Sequence, residues 1–439
     1  MKRQVRVLCL VFAVLLTLSM TASSEDTKVK EIVFWHHEAP EERVNTFQEI
    51  IDDFNAAYPQ YKVRQEVVMW GDAWVKTATA ISSNTAPDFQ FGIPDLMLTA
   101  FKADGLLPVT DLIKELDEKH DFSQSQLDIY SYDNEYWGVP IFTMLWGVCY
   151  RPSIVQKYLG HTDAPETWAD LLNYAKIITE KSNGEVYGIG LSSAKNLMAD
   201  ESFYTVMASS GSMPFDAEGN VIFNSQQTID ALEFYKELCQ YSPPGHEAWS
   251  WGELQTNHTV GTVAMTISDL QLEANLDALN SSDYAVWPMP LKEAGAKRGT
   301  MTYPNEISIF KAAEERGNLE GVYDFVKFIM EPQQNSKLIE MCAGSFLPVT
   351  KSTAESKELW EKPRMKRFEE ANRIAISFLD YATLYGFEHG KWVNLGIGDY
   401  VGANLFSDTM SKVVSEQMTP QEAAAWGASE MEKLSVPIK

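Results

Sequence analysis

Four cysteines among 439 residues leave little material for a disulfide scaffold. Cys9 falls inside an apolar N-terminal run, while Cys149, Cys239 and Cys342 cannot all pair and form no Cys-x-x-Cys motif. That spacing excludes a disulfide framework and a cysteine-based metal site. Positive charge is short as well: 36 Lys and Arg stand against 61 Asp and Glu, a formal net charge of −25 at pH 7. Such a chain repels nucleic acid and anionic membrane, so neither is expected as a partner. Catalytic signatures are missing too. His37-Glu38 starts like a zinc-protease helix, but Glu41 stands where the second histidine belongs. Gly396-Ile397-Gly398 runs on to Val401, where a dinucleotide fingerprint needs glycine. There is no Gly-x-Ser-x-Gly elbow and no Walker loop. His36 and His37 are adjacent, a poor spacing for one metal ion. No metal and no cofactor is expected.

Long apolar runs are absent beyond the start. Lys2, Arg3 and Arg6 precede the apolar run Val7–Met20, and small residues follow at Thr21, Ala22, Ser23 and Ser24. That order predicts a secretory leader over residues 1–24, cleaved after Ala22 or Ser24. Cys9 is misplaced for lipid attachment, so the expected destination is the periplasm. The remainder suits two domains of ordinary size. Aromatic residues make up 12%, with 12 Trp, and flat aromatic faces suit ligands with apolar faces.

Strand and helix patterns alternate. Glu31–Trp35 reads as a strand, and Pro40 with Glu41 and Glu42 opens a helix carrying Val44, Phe47, Ile50, Ile51 and Phe54. Tyr61–Met69, Asp88–Gly92, Ala285–Pro290 and Ile307–Lys311 read as further strands, with helices over Asp72–Asn84, Gln227–Gln240 and Gly321–Glu331. Thr167-Trp168-Ala169-Asp170 and Thr419-Pro420-Gln421-Glu422 are capping boxes. Alternation of this kind implies an α/β fold with a parallel sheet between helices. No repeat, low-complexity segment or long linker interrupts it.

In this order the chain resembles the family 1 extracellular solute-binding proteins, the group containing maltose-binding protein. The resemblance rests on Ile32–His37, Ala86-Pro87-Asp88-Phe89, Phe101–Val109, Tyr136-Trp137-Gly138-Val139-Pro140, Val148-Cys149-Tyr150-Arg151, Ala164–Leu171, Gly261–Met265 and Phe346-Leu347-Pro348-Val349. Thr262 and Val263 depart from the usual Lys-Ala. What it implies is a two-lobed periplasmic-binding-protein fold, type II-like, each lobe a mostly parallel sheet flanked by helices. The expected lobes are 25–141 with 291–330, and 142–287 with 331–439. Hinge crossings are expected near 138–143, 287–290 and 331–348. The implied role is a monomeric, non-enzymatic receptor of an ABC importer, handing a neutral mono- or oligosaccharide to membrane permease subunits.

Ligands of open parallel sheets sit at the carboxyl ends of strands. Trp35, His36, His37 and Glu38 follow the first strand; Trp70 and Asp72 follow the second; Asp95 follows the third. Asp72 reads equally as a helix cap; Asp95 also reads as a cap, but the resemblance implies an acidic ligand contact there. Trp249 and Trp251 occupy the loop Ser242–Gly252, Asp269 follows the strand ending at Ile267, Tyr303 and Asn305 precede that at Ile307, and Trp392 lies in a Gly-rich stretch. These are the candidate ligand contacts. Their acidic and aromatic character leaves neutral or cationic solutes. Two alternatives remain open: a secreted glycoside hydrolase with two carboxyls about 5–10 Å apart, or a receptor for a non-sugar solute such as a polyol, an amino-acid derivative or a cation.

Overall fold

The computed structural model describes residues 29–269 and 272–437; the expected leader lies outside them. Among the described residues, no helix is long and apolar enough to cross a membrane.

Strand β1 (Lys30–His36) buries Ile32, Phe34 and His36, alternate positions that point to one face. Helix α1 (Glu41–Ala57) buries Phe47, Ile50, Ile51 and Phe54 at helical spacing, with Glu41 and Glu42 at its positive end. Strand β2 (Tyr61–Val67), helix α2 (Ala73–Ser82), strand β3 (Phe89–Gly92) and helix α3 (Pro94–Lys102) follow. β1 pairs in parallel with both β2 and β3, which requires the helical crossovers between them.

β4 (Val139–Leu145) and β5 (Gly147–Tyr150) carry the chain from the first sheet into a second. Helix α4 (Trp168–Lys181) starts on the expected capping box. The Thr167 side chain accepts from the Asp170 backbone N–H, and the Asp170 carboxylate accepts from Thr167. Thr167→Ala is expected to lower stability by about 1 kcal/mol, read from denaturant unfolding. Then come β6 (Tyr187–Gly190), α5 (Leu197–Ser210), α6 (Gln226–Cys239), α7 (Trp251–Val260), β7 (Val263–Ser268) and β8 (Ala285–Trp287). The chain returns through β9 (Thr300–Ile309), whose near end pairs with β10 (Ala382–Thr383).

The first sheet runs β10-β9-β3-β1-β2, with β4 also paired to β9; the second runs β8-β5-β7-β6. In the second sheet β6 and β7 are parallel, but β5 is antiparallel to both β7 and β8. The sheet is therefore less parallel than the sequence suggested. β5 and β8 are its links to the first lobe, and antiparallel neighbours need no helical crossover.

β9 is the other departure. The sequence marks only Ile307–Lys311 as strand, with Tyr303 and Asn305 before it. The strand nevertheless spans ten residues, and its register shifts between Asn305 and Glu306, next to Pro304. Similarly, Pro332 closes one helix and begins another, Pro332–Met341.

Two apolar cores match the two sheets. In the first, Phe34 stacks on Phe89 at 4.6 Å between Phe47 and Phe325. In the second, Trp168 stacks on Phe234 at 4.3 Å and Tyr150 on Trp287 at 3.7 Å. Leu338, Ile339, Phe346, Val349, Leu359 and Met365 join the first core. The sequence expectation put the whole of 331–439 in the second lobe; the apolar face of Pro332–Met341 instead docks near α1. Phe368 to Ala382 packs with Leu145, Cys149 and Val286, at the strands that link the lobes, and from Leu384 to Met431 the chain joins the second core.

Candidate functional site

A cavity of about 410 Å³ opens between the lobes. From the first lobe Glu38, Arg43, Trp70, Trp74, Ile93, Tyr303, Asn305 and Phe346 line it, and from the second Leu197, Glu201 and Trp251, with Met144 on a connecting strand. The elements explain the convergence. Glu38 follows the end of β1, and Trp70 follows β2 in a short turn. Trp74 sits four residues on, so the two indoles share a face and lie 6.2 Å apart. Leu197 and Glu201 are likewise four apart on α5, whose first turn is capped by Asn196. Trp251 is the first residue of α7, held by the capping box of Ser250 and Glu253.

Glu38 and Arg43 form an ion pair of 2.5 Å. Arg43 also donates to the Cys342 sulfur at 3.2 Å and lies over the Phe346 ring at 5.3 Å. The guanidinium is thus committed on every side. Arg43→Ala would leave the nearly buried Glu38 carboxylate without its partner, an expected loss of roughly 3 kcal/mol in urea unfolding.

Glu38, Trp70, Trp251, Tyr303 and Asn305 are the sequence candidates that reach the cavity. Behind them stand three others. The Tyr303 hydroxyl donates to Asp95 at 2.7 Å, and burial pushes the Asp95 carboxyl above the usual range. His37 lies 4.5 Å from Trp70 and shares a 2.7 Å hydrogen bond with the Val68 carbonyl. A carbonyl only accepts, so Nδ1 carries the proton; burial lowers the ring's pKa to about 4 and keeps it neutral. Asp269 accepts from Ser345 at 2.9 Å and lies close enough for its charge to raise the Glu201 pKa.

The remaining candidates lie elsewhere. Trp35 donates to Glu66 at 2.8 Å beside a groove with Arg64. His36 stacks on Phe47 at 4.6 Å under α1 and bonds Gln65 at 2.7 Å. Asp72 is exposed, caps nothing, and lies 3.9 Å from Lys76. Trp249 is buried with Met198, Leu254 and Val263. Trp392 donates to the Ile129 carbonyl at 2.8 Å and stacks on Tyr132 at 5.3 Å.

Strand-end reasoning missed Arg43, Trp74, Ile93, Met144, Leu197, Glu201 and Phe346. Readable signals existed for two of them: Trp74 is one helical turn from Trp70, and Asp200-Glu201 interrupt an otherwise apolar helix. Burial raises the Glu201 pKa well above the carboxylate range, and the charges of Asp269 and Asp200 add to it.

A larger groove of about 540 Å³ shares no residue with this cavity. It runs past Phe122, Val349, Lys351 and Arg373, whose charges are already paired, Lys351 with Asp121 and Arg373 with Glu369. Phe122 is its one aromatic ring, against five in the interlobe cavity.

Residues 49–367 match the family model described as bacterial extracellular solute-binding protein. The putative ABC transporter periplasmic-binding protein YcjN of Escherichia coli is 22% identical over 399 residues, 90% of each chain. The arabinooligosaccharide-binding protein of Halalkalibacterium halodurans is 22% identical over 254 residues, 54% of each. Among solved structures, the sugar-binding protein MalE from Xanthomonas citri superposes with a TM-score of 0.77 at 16% identity, covering 92% of this chain and 97% of that one. The cyclic alpha-maltosyl-1,6-maltose binding protein from Arthrobacter globiformis gives 0.75 at 16% identity, covering 92% and 98%. The fold is thus the two-lobed one these proteins share, and a family match across most of the sequence settles kinship: the chain belongs to the bacterial extracellular solute-binding proteins and is a solute-binding protein of an ABC transporter.

Proposed function

We propose that the interlobe cavity is the solute site and that its solute is a carbohydrate. The observation that carries this is the wall of the cavity: Trp70, Trp74, Trp251, Tyr303 and Phe346 converge there from both lobes. Pyranose and furanose rings have apolar faces that stack on such rings, while Asn305 and the carboxyls take hydroxyls at the rim. The names of the relatives, arabinooligosaccharide-binding and sugar-binding among them, support the same class. An anionic solute would find only Arg43, and that guanidinium is occupied by Glu38 and Cys342.

In this reading solute bridges the lobes, closure about the connecting strands shuts it in, and the closed form docks on permease subunits in the membrane. The receptor works as a monomer in the periplasm after its leader is cleaved. It performs no chemistry on the sugar. A hydrolase would need Glu38 as a free nucleophile or base opposite Glu201, and Glu38 is clamped to Arg43.

A thermal-shift panel of sugars, polyols and amino acids tests the reading. A sugar at 100 times its dissociation constant should stabilise the protein by about 2.7 kcal/mol and be recovered intact. A consumed sugar would favour the hydrolase. Stabilisation by amino acids alone would remove the carbohydrate.

A further inference from the structure

The charge of the cavity is unbalanced in a way that a neutral sugar does not answer. Its cation, Arg43, is spent on Glu38 and Cys342. Glu201 is 7% exposed, lines the cavity, and its carboxyl has no hydrogen bond or ion pair among the described residues. The residue beside it shows what a structural acid looks like on the same helix: Asp200 accepts the Ser407 backbone N–H. Glu201 has no such employment. Its oxygens face the cavity rather than the protein interior, so solvent or solute must supply their hydrogen bonds, whereas the second Asp200 oxygen is sealed off from both.

Its surroundings fit one class of partner. Trp70, Trp74, Trp251, Tyr303 and Phe346 share the cavity with it, and aromatic faces attract cations through their negative quadrupole. Asp269 adds negative potential from behind. The whole chain carries a formal charge of −25, which draws cations and repels anions.

We propose that the cavity takes a sugar bearing a protonated amino group, its rings stacked on the indoles and its ammonium at the Glu201 carboxylate. This rests on the carbohydrate-receptor reading and narrows it from the neutral solute that the sequence suggested. The groups whose charge acts on Glu201 are Asp269 and Asp200, with the Glu38–Arg43 pair on the same cavity wall. Burial first, and the acidic neighbours after it, favour a proton on Glu201 while the cavity is empty. The arriving ammonium takes the place of that proton, which leaves to solvent.

Calorimetry on the full mature chain tests the inference. The probes are glucosamine, galactosamine, mannosamine and the 1,4-linked glucosamine disaccharide, each beside its hydroxyl and N-acetyl counterparts. At least one amino compound should bind at least tenfold tighter than both counterparts. Its apparent enthalpy at pH 7 should vary with the ionisation enthalpy of the buffer, reporting the released proton. Glu201→Gln keeps the shape and removes the charge, so the amino-to-hydroxyl affinity ratio should fall by about 30-fold or more. The wild-type comparison of amine with N-acetyl stands even if that variant folds poorly. Hydroxyl sugars binding as tightly as every amino counterpart would overturn the inference and leave the carbohydrate receptor in place, as would an unchanged ratio in Glu201→Gln. Binding by no member of the panel would overturn the inference, while the carbohydrate reading stands or falls on the thermal-shift panel.

Discussion

Trp251→Ala is expected to weaken sugar binding by about 2–3 kcal/mol, a 30- to 150-fold rise in Kd, with little loss of stability. The indole lines the cavity from the second lobe and only borders the small core beneath it. Its neighbour Trp249 makes the contrast. That ring is buried among Met198, Leu254 and Val263 and does not line the interlobe cavity. Trp249→Ala should therefore cost roughly 3–5 kcal/mol of stability while the surviving folded protein keeps nearly its full affinity. Calorimetric titration and urea unfolding of both variants read the two effects separately. If Trp249 controlled affinity and Trp251 did not, the placement of the site between the lobes would be wrong.

The second large effect is on stability against pH. Burial raises Asp200 to about 7, Glu306 to about 8 and Glu388 to about 7, and lifts Asp95 and Glu201 above the ordinary range as well. These groups stay protonated in the folded state at pH values where the unfolded chain has released the proton. Their contribution is complete below the unfolded pKa and disappears as pH rises through the folded pKa. The histidines act in the opposite sense. Burial lowers His37 to about 4 and His258 to about 3, and also lowers His36, His120 and His246. The unfolded chain protonates them below about pH 6.5 and the folded chain does not, so acidification costs stability there. The two trends meet near neutrality. A maximum is expected at pH 6–6.5, with roughly 3–4 kcal/mol lost by pH 8.5 and a decline below pH 5.5. Melting temperatures in a buffer series check it. A protein equally stable at pH 6.5 and 8.5 would contradict the burial of those carboxyls.

Local physics made much of the fold readable. The Phe47, Ile50, Ile51 and Phe54 spacing located α1, and the capping boxes at Thr167 and Thr419 formed as expected. What failed was non-local. The length of β9 is not legible locally, because its register shift becomes visible only beside β4. Nothing in the sequence of Pro332–Met341 says which lobe its apolar face will meet. The same division holds for the site. Strand ends pointed to Glu38 and Trp70, since that rule depends only on sheet topology, while Tyr303 and Asn305, expected just before a strand, lie within β9. Trp249 and Trp392, chosen as tryptophans in loop-like stretches, fill cores, and the strand-end rule overreached with Trp35, whose side chain leads away from the cavity to Glu66. It missed Glu201 and Leu197 because they sit in the first half of a helix, and only the facing of the two lobes turns that surface into a wall.

The most direct test of a carbohydrate site between the lobes is the structure of the complex with whichever sugar gives the largest thermal shift. The account predicts the sugar between Trp70 and Trp74 of one lobe and Trp251 of the other, within hydrogen-bonding reach of Glu201. A sugar found instead in the groove along Phe122, Val349 and Arg373, with the interlobe cavity empty, would contradict it.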